Sequence, residues 1–464
     1  MTKTQELFFK SALIQQPFFQ TGWMENVSLT INDGTIESIS VGSEPAADAQ
    51  VMDGVAIPAM PNVHSHAFQR AFVGLSEYRT AANDSFWTWR KLMYDFVLKL
   101  TPDDVYTIAR QLYLEMLVAG YSWVGEFQYL HNEESGESYP DLPQMSRVLL
   151  EAAASTGIGI CMLPVLYQRS GFDATAPGDE QRRFVLSDDE FLGLCESCQI
   201  ATEPLPNATA GIAIHSLRAA SKEAIETVLA YRKKFYPGCP VHIHIAEQIQ
   251  EVEDCLAATG KRPVEYLLAN FEVDENWCLI HATHLSDDEV YRLAAKDVVV
   301  GLCPTTEANL GDGIFQAEKY LGDRGRLAIG SDSHCSIDPR EELRLIEYGQ
   351  RLTSRQRAVL GSEKESVGRQ LYRMAAEWGG KALGVKTGKI GVGHRADLLV
   401  IDDQHPTIAG ARNDRLLDRF VFSNTGSPIA ERMIGGNWIE NDVLEYQLAQ
   451  SREDFVKLNK RMLG

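Results

Sequence analysis

Apolar and polar positions alternate with a period of two in the first segment of the chain. Residues 27–31 and 35–39 both follow this pattern, and Asn32, Asp33 and Gly34 between them are typical of a tight turn. The pattern predicts a β-hairpin. Because no helical pattern accompanies it, we expect the hairpin to join a small β domain to which the chain returns later.

From residue 55 onward, short apolar runs alternate with amphipathic stretches. Near-continuous apolar runs are typical of parallel strands that are covered on both faces. Helical periodicity between the runs predicts helices, among them residues 103–118, 144–154, 222–231 and 287–295. We count eight apolar runs, which are residues 55–57 leading to His64, 123–127, 159–163, 210–214, 241–245, 278–280, 298–302 and 327–330.

Eight strands alternating with helices predict an α/β protein whose sheet closes into a (β/α)8 TIM barrel. A doubly wound open sheet is the alternative arrangement of parallel strands. Against it, no G-x-G-x-x-G sequence follows the first apolar run.

Composition and charge limit the classes of function. Of 464 residues, 44% are hydrophobic and 23% are charged, as in an ordinary soluble globular protein. The formal net charge of -20 argues against nucleic acid and against an anionic membrane as partners, because an acidic surface repels both. An anionic substrate would need locally placed arginines. We recognise no signal peptide and no apolar run of about 18 residues, and we therefore expect a cytoplasmic protein.

The eight cysteines are scattered along the chain. Only Cys195 and Cys198 form a C-x-x-C pair, and no second pair stands at zinc-finger spacing. The sequence therefore predicts reduced structural thiols rather than a zinc knuckle or a disulfide.

Polar and titratable residues follow most of the apolar runs. The active sites of (β/α)8 barrels lie at the carboxyl ends of their strands. With only 11 histidines in the chain, this distribution is hard to explain as surface decoration. Six of the eight runs end in such residues, which are His64, His66, Tyr129, His215, Arg218, His244, Glu247, His281, His284 and Asp332.

His64 and His66 are separated by one residue. In a strand both side chains would project from the same face and could reach one ion, although two hydrogen-bonded core or loop histidines are the simpler alternative. Three neutral imidazoles and one carboxylate suit zinc or a similar divalent ion, with one position left for water. We predict one divalent metal ion, most simply Zn²⁺, bound by His64, His66, His244 and Asp332.

Two further observations indicate that His242 is not a ligand and that the site holds one metal ion. His242 shares a face with His244 but lies further from the carboxyl end of its strand, so it is expected to be a core histidine. A second metal would need a bridging ligand, often a modified lysine after the fourth strand, and residues 214–218 offer none.

The same residues resemble a known enzyme family. His64-Ser65-His66, His244 with Glu247 three residues later, His281 and Ser331-Asp332 resemble the mononuclear deaminase branch of the amidohydrolase superfamily. Residues 388–398 resemble the segment by which that family re-enters its small β domain. The resemblance implies a barrel of residues 59–380 and a small β-sandwich domain formed by residues 1–58 and 381–464, with a C-terminal helix. It also suggests a homodimer.

Three longer strings, residues 64–70, 86–90 and 215–218, resemble the formimidoylglutamate deiminases of histidine degradation. This resemblance implies hydrolysis of N-formimino-L-glutamate to N-formyl-L-glutamate and ammonia. It assigns proton acceptance from the attacking water to Asp332, protonation of the leaving nitrogen to Glu247, and orientation of the water to His281. For Glu247, the alternative is an exposed carboxylate at the start of a helix, where the helix dipole favours acids.

The implied partner is a small-molecule dicarboxylate, which an acidic protein must bind with local donors. Arg218 can bind a carboxylate through two parallel hydrogen bonds. Arg90 is the candidate for the other carboxylate, although it could instead stack on Trp87 or Trp89. The neighbouring donors that the resemblance implies are Gln69, Tyr129 and His215.

Two other functions stay open at this point. One is a superfamily deaminase or chlorohydrolase that acts on a purine or triazine ring. His215, Arg218 and Arg90 suit a charged, flexible substrate better than a planar neutral one. The other is a metal-free scaffold protein built on the barrel, against which the complete set of metal ligands argues.

Overall fold

The computed structural model describes residues 4–15, 21–77, 86–423 and 425–464, and its elements are numbered in chain order. The strands are β1 (Thr4–Gln15), β2 (Thr21–Asn32), β3 (Thr35–Val41), β4 (Gln50–Pro58), β5 (Met60–Ser65), β6 (Tyr121–Gln128), β7 (Gly159–Leu166), β8 (Ala208–Ala210), β9 (Ile212–Ile214), β10 (Val241–Ile245), β11 (Trp277–His281), β12 (Val299–Leu302), β13 (Arg326–Ile329), β14 (Leu398–Ile401), β15 (Ile429–Ile434) and β16 (Asn437–Trp438).

The helices are α1 (Phe86–Val97), α2 (Pro102–Ala119), α3 (Gln144–Thr156), α4 (Asp188–Thr202), α5 (Lys222–Phe235), α6 (Ile249–Thr259), α7 (Pro263–Asn270), α8 (Asp287–Ala294), α9 (Pro304–Leu310), α10 (Ala317–Gly322), α11 (Pro339–Ser354), α12 (Val367–Ala382), α13 (Asp414–Phe422) and α14 (Asn441–Leu463). Two 3-10 helices span Ala67–Phe72 and Asp179–Gln181. The four helices named from periodicity correspond to α2, α3, α5 and α8.

Eight parallel strands form the barrel, in the order β5, β6, β7, β9, β10, β11, β12 and β13, and β8 pairs beside β7. The ring closes where Ser65 forms a parallel bridge with Asp332. At this point the backbone N–H groups of Ser331 and Asp332 donate to the carbonyl of His64 at 3.1 and 3.0 Å. The predicted (β/α)8 barrel is confirmed.

The barrel elements follow from their local sequences. Every residue of β6 and of β10 is buried, as expected for strands with a packed interior on one face and helices on the other. The helix α2 begins after Thr101, whose hydroxyl accepts a hydrogen bond from the N–H of Asp104. It ends at Gly120, where φ is +98° and a side chain would be strained.

Residues 55–57 do not form the first barrel strand, and this prediction is wrong. They belong to β4, which pairs with β1 and β14 outside the barrel. The barrel begins instead at β5. Only Ala59 separates β4 from β5, and both strands are apolar, so the hydrophobic pattern contains no boundary between them. The predicted hairpin is confirmed by the antiparallel pair β2 and β3.

The remaining strands pair as one seven-stranded sheet, in the order β16, β15, β14, β4, β1, β2 and β3. The sheet has its own apolar cluster, to which Leu7, Leu29 and Leu398 belong. Its two ends approach each other through Ala396, whose N–H donates to Gly34 and whose carbonyl accepts from Gly436. The sheet therefore curls around its cluster and joins the two ends of the chain. The boundaries 1–58, 59–380 and 381–464 stay predictions.

All eight cysteines are free thiols, and Cys195 and Cys198 lie buried on α4. The last helix, α14, packs along α2 of the barrel. In the part of the chain that the structure describes, no helix has the length and apolar character needed to cross a membrane.

Candidate active site

Buried polar side chains meet at the carboxyl ends of three barrel strands. His64 lies in β5 and His66 directly after it, His244 lies in β10, and Asp332 follows β13. Each of these side chains belongs to a residue that is at most 8% exposed. The strand order brings β5 and β13 together where the ring closes, so residues far apart in sequence share one site.

Close contacts link the four predicted metal ligands to one another through His64 and Asp332. The Nε2 atoms of His64 and His244 are 2.9 Å apart. The Oδ1 atom of Asp332 lies 3.5 Å from Nε2 of His64 and 3.3 Å from Nε2 of His66. Two overlapping groups of ligand atoms could each hold an ion, one of His64, His66 and Asp332 and one of His64, His244 and His281.

Hydrogen bonds to the backbone fix the orientation of two of the rings. Nδ1 of His66 lies 2.9 Å from the carbonyl of Phe127, and Nδ1 of His244 lies 3.0 Å from the carbonyl of His215. Because a carbonyl only accepts, each Nδ1 must carry the proton, which leaves each Nε2 bare and directed into the cluster. This is the tautomer that metal-binding histidines adopt.

The protonation of the rings also fits a metal ion. Burial lowers the pKa of His64 to about 3 and holds the pKa values of His66 and His244 below their usual range. Neutral imidazoles are the form that binds metal. With a buried carboxylate beside them, the donor set fits a divalent cation.

Glu247 and His281 lie next to this cluster. Nε2 of His281 is 3.7 Å from Oε1 of Glu247 and 3.7 Å from Oδ2 of Asp332. Burial raises the pKa of Glu247 to about 7, and the nearby carboxylates of Asp332 and Glu251 add to the rise. Glu247 is only 8% exposed, so the alternative of a solvated acid at a helix start is wrong.

Burial acting alone would lower the pKa of His281. The carboxylates of Glu247, Glu307 and Asp332 outweigh that effect and raise the pKa of His281 to about 10. Glu247, which can be protonated near neutral pH, thus lies next to the cationic ring of His281, and the carboxylate of Asp332 lies on that ring as well. Such a set can move protons to and from a bound molecule.

The backbone is strained at the same strand ends. Ala246, His281, Ala282, Asp332 and His334 all have φ between +48° and +68°, a conformation that residues other than glycine rarely adopt. Strain of this kind concentrates at functional sites, where the surrounding structure holds it in place. Here it aims the side chains that follow β10, β11 and β13.

The five predicted substrate-binding residues line one pocket above the cluster. The amide of Gln69 donates to the hydroxyl of Tyr129 at 3.0 Å. Nη2 of Arg90 donates to the hydroxyl of Tyr167 at 3.4 Å, and its guanidinium carbon lies 5.1 Å from the centroid of the Tyr94 ring. The pocket residues named by the sequence are Gln69, Arg90, Tyr129, His215 and Arg218.

The alternative of a stacked Arg90 involves Trp87 and Trp89, whose side chains lie outside the described part of the chain. His242 is fully buried, and its Nε2 lies 2.8 Å from the carbonyl of Ala382. It therefore sits deeper in the barrel than His244, as its place in the strand predicts.

The sequence did not point to several residues of the site. Tyr167 follows β7 directly, and Thr306 and Glu307 come shortly after β12. β7 and β12 are the two barrel strands after which we predicted no site residue. The rule that site residues follow the carboxyl ends of strands would have found these residues too. Tyr94 on α1 and Phe184 in a loop also line the pocket, and no sequence signal marks them.

A buried hydrogen-bond network holds the His64–His66 segment. The carboxylate of Glu126 accepts from the hydroxyl of Ser65 and from the N–H of Ala67, both at 2.7 Å. The Asn62 amide donates to the Ser331 hydroxyl at 2.7 Å across the closure of the ring. The first and last strands are therefore joined by side chains as well as by the backbone.

The geometry agrees with comparisons to known proteins. The model of the family described as "Amidohydrolase family" matches residues 55–439. The chain belongs to the amidohydrolase family. Over 459 residues, this amidohydrolase is 43% identical to the formimidoylglutamate deiminase of Pseudomonas aeruginosa, in a match that covers 98% of this chain and 99% of the relative. It is 25% identical over 441 residues to the 5'-deoxyadenosine deaminase of Methanosphaera stadtmanae, covering 93% of this chain and 94% of the relative.

Solved structures show the same fold. An amidohydrolase from Brucella melitensis superposes with a TM-score of 0.88 at 39% identity, covering 97% of this chain and all of that one. An adenosine deaminase from Xanthomonas campestris with bound zinc superposes with a TM-score of 0.78 at 19% identity, covering 98% of both chains. The second likeness shows the fold alone. Amidohydrolase family enzymes bind a divalent metal ion.

Proposed function

We propose that this amidohydrolase is a formimidoylglutamate deiminase, which hydrolyses N-formimino-L-glutamate to N-formyl-L-glutamate and ammonia in histidine degradation. The observation that carries the proposal is the pair Arg90 and Arg218, which line one pocket directly above the His–Asp cluster. Two arginines suit a substrate with two carboxylates. The near-full-length similarity to the Pseudomonas enzyme of that name supports the same reaction.

One divalent metal ion, most simply Zn²⁺, would be held by His64, His66, His244 and Asp332. When bound, such an ion lowers the pKa of a bound water from about 15.7 towards ~7 and so makes it a nucleophile near neutral pH. The donor set supports this assignment, because it offers neutral imidazoles and one carboxylate.

The proton transfers are assigned to the residues around the metal ligands. Asp332 accepts the proton of the attacking water. Glu247, whose pKa burial raises to about 7, donates a proton to the nitrogen that leaves as ammonia. His281 orients the water and stabilises the charge that develops on the formimino group.

The pocket residues hold the rest of the substrate. Arg218 and Arg90 bind the two carboxylates, which compensates for the acidic surface of the protein. Gln69, Tyr129 and His215 supply further hydrogen bonds. Together these groups fix the formimino carbon above the metal ligands.

Product analysis of the metal-loaded protein with N-formimino-L-glutamate tests the proposal. We expect equal amounts of ammonia and N-formyl-L-glutamate, since water replaces the terminal nitrogen of the formimino group. Release of formamide and glutamate, or no reaction, would contradict it.

A ring deaminase is the competing function, and 5'-deoxyadenosine is its matched substrate because a relative carries that name. Ammonia release from 5'-deoxyadenosine alone would favour the ring deaminase. A homodimer and a cytoplasmic location stay predictions. Light scattering of the purified protein would test the first, and fractionation of the source cell the second.

A further inference from the structure

Gln181 ties together two elements that cover the pocket. It ends the short 3-10 helix Asp179–Gln181 in the loop after β7 and is only 2% exposed. Its side-chain oxygen accepts a hydrogen bond from the N–H of Gly178 at 2.9 Å, which fixes the orientation of the amide. The amide nitrogen then donates to the hydroxyl of Tyr94 at 3.1 Å and to the hydroxyl of Tyr167.

The same two hydroxyls also accept hydrogen bonds from Arg90. Nε of Arg90 donates to the hydroxyl of Tyr94, and Nη2 donates to the hydroxyl of Tyr167 at 3.4 Å. Each phenol oxygen thus accepts from both Gln181 and Arg90. Since a phenol oxygen has two acceptor positions and one hydrogen, that hydrogen is available for donation to a different group.

Arg90, Tyr94 and Tyr167 all line the pocket. Burial raises the pKa of Tyr94, so its hydroxyl keeps the hydrogen that it can donate. The pocket wall therefore combines one guanidinium with two oriented O–H donors. A carboxylate, which offers about four acceptor positions on two oxygens, matches this set.

We infer that Gln181 is a specificity-determining positioning residue, which orients Arg90, Tyr94 and Tyr167 as the receptor for the side-chain carboxylate of the substrate. This inference rests on the proposed function. Gln181 does not line the pocket and acts only through the residues that it orients.

The positions of the two arginines indicate which of the two substrate carboxylates lies beside Arg90. Arg218 lies near the reacting end, where its charge opposes the rise in pKa of Glu247 and of Glu251. Arg90 instead donates to the hydroxyls of Tyr94 and Tyr167 in the pocket wall. Because the formimino nitrogen is attached to the α-carbon, the α-carboxylate stays near the reacting end. The side-chain carboxylate extends towards Arg90.

The substitution Gln181→Met tests this inference, and Gln168→Met is its matched control. Gln168 lies in the same loop, does not line the pocket, and donates to the carbonyl of Leu186 at 3.2 Å and to Asp188 at 2.7 Å. The ligands are N-formyl-L-glutamate and N-formyl-L-2-aminobutyrate, which lacks the side-chain carboxylate. Isothermal titration calorimetry on the metal-loaded protein gives both dissociation constants.

We expect Gln181→Met to weaken binding of N-formyl-L-glutamate at least about tenfold, the size expected for hydrogen bonds to a charged group, and to leave binding of the aminobutyrate derivative unchanged. Gln168→Met should change neither constant. Equal weakening for both ligands, or no weakening for either, would overturn the inference. In turnover of N-formimino-L-glutamate, the Gln181→Met effect should fall on KM rather than on kcat.

Tyr167→Phe removes one of the oriented O–H groups and keeps the ring. It tests the same carboxylate receptor if Gln181→Met does not fold. It should also reduce the preference for the dicarboxylate. The binding measurement does not depend on catalysis. A wild-type protein that prefers the dicarboxylate but does not hydrolyse N-formimino-L-glutamate would contradict the proposed function alone. A wild-type protein that shows no preference for the dicarboxylate would overturn this inference.

Discussion

Glu307 holds the ring of His281 from the side opposite the reacting groups, with its Oε1 3.2 Å from Nδ1 of His281. The same oxygen accepts the N–H of Cys303 at 2.9 Å, so the carboxylate is itself fixed by the backbone. Nε2 of the ring is thereby directed towards Glu247 and Asp332. Partners of this kind set the tautomer and orientation of a catalytic histidine.

Glu307→Gln should therefore lower kcat by about 10- to 100-fold, the range found when such supporting partners are removed. Metal content should stay unchanged, because Glu307 is not among the metal ligands. Glu342→Gln is the matched control, since Glu342 is also a buried acid near α9 but binds Thr305 rather than His281. Steady-state kinetics with the same kcat in both variants would show that Glu307 does not support His281.

Glu247→Gln should lower kcat by about 10²- to 10⁴-fold, the usual contribution of a general acid. The glutamine keeps the size of the side chain but has no carboxyl proton to donate. Metal analysis should find the same content as in the wild type, because Glu247 lies outside the ligand cluster. A turnover rate close to that of the wild type would remove Glu247 from the mechanism.

Arg218→Met should reduce kcat/KM for N-formimino-L-glutamate by about 10- to 100-fold, since it removes hydrogen bonds to a charged group. Arg147→Met is the control, because Arg147 forms an exposed ion pair with Asp141 away from the pocket. Both variants should be assayed at several salt concentrations to separate local binding from long-range attraction. Unchanged kcat/KM for Arg218→Met would contradict its role in carboxylate binding.

His244→Ala should abolish binding of the metal ion, whereas His242→Ala should retain it. The two histidines lie on one face of the same strand two residues apart, but His244 lies at the carboxyl end, where its ring is grouped with those of His64 and His281. His242→Ala should instead lower Tm, because it removes the contact with the carbonyl of Ala382. Metal analysis by mass spectrometry after gel filtration makes the comparison. A bound ion in His244→Ala would require a different ligand set.

Glu342 should make the protein less stable as pH rises. Burial and the charges of Glu307 and Glu341 hold its pKa well above the usual range of a glutamate. The folded state thus binds a proton that the unfolded state releases near its ordinary pKa of ~4.3. The stabilisation is fully present below that pH and is lost as pH rises through the pKa of the folded state.

Glu342→Gln removes this titration. Its Tm should match that of the wild type near pH 4.5 and exceed it increasingly towards neutral pH. Thermal unfolding of both metal-loaded proteins across this range measures the difference. A difference in Tm that does not change with pH would show that Glu342 is ionised in the folded protein at every pH tested.

The barrel and the grouping of the candidate ligands could be predicted because both depend on residues that occupy regular positions. A parallel strand buried on both faces requires a continuous apolar run, and the residue after the run is placed at the site by the fold. His64, His66, His244 and Asp332 all follow this rule. The limit of the rule appears at residues 55–57, where two apolar strands of different sheets adjoin through Ala59.

The supporting groups could not be predicted in the same way. Gln181 reaches Tyr94 and Tyr167 through the path of an irregular loop, which no periodicity specifies. The contact of Glu307 with His281 depends on the start of α9, whose seven residues are too few for a clear helical pattern. Contacts between side chains of different elements depend on the folded path of the chain and not on spacing in the sequence.

The closure of the ring between β5 and β13 has a consequence for how the protein acquires its metal ion. His64 and His66 leave the ribosome early, whereas Asp332 follows the last strand of the barrel to be synthesised. His244 is synthesised between them, but the ring that fixes β5 closes only when the segment after β13 pairs with it. We therefore expect the nascent chain to bind metal only after almost the whole barrel has emerged. The metal ion would then be captured during the final step of assembly rather than guiding the earlier ones.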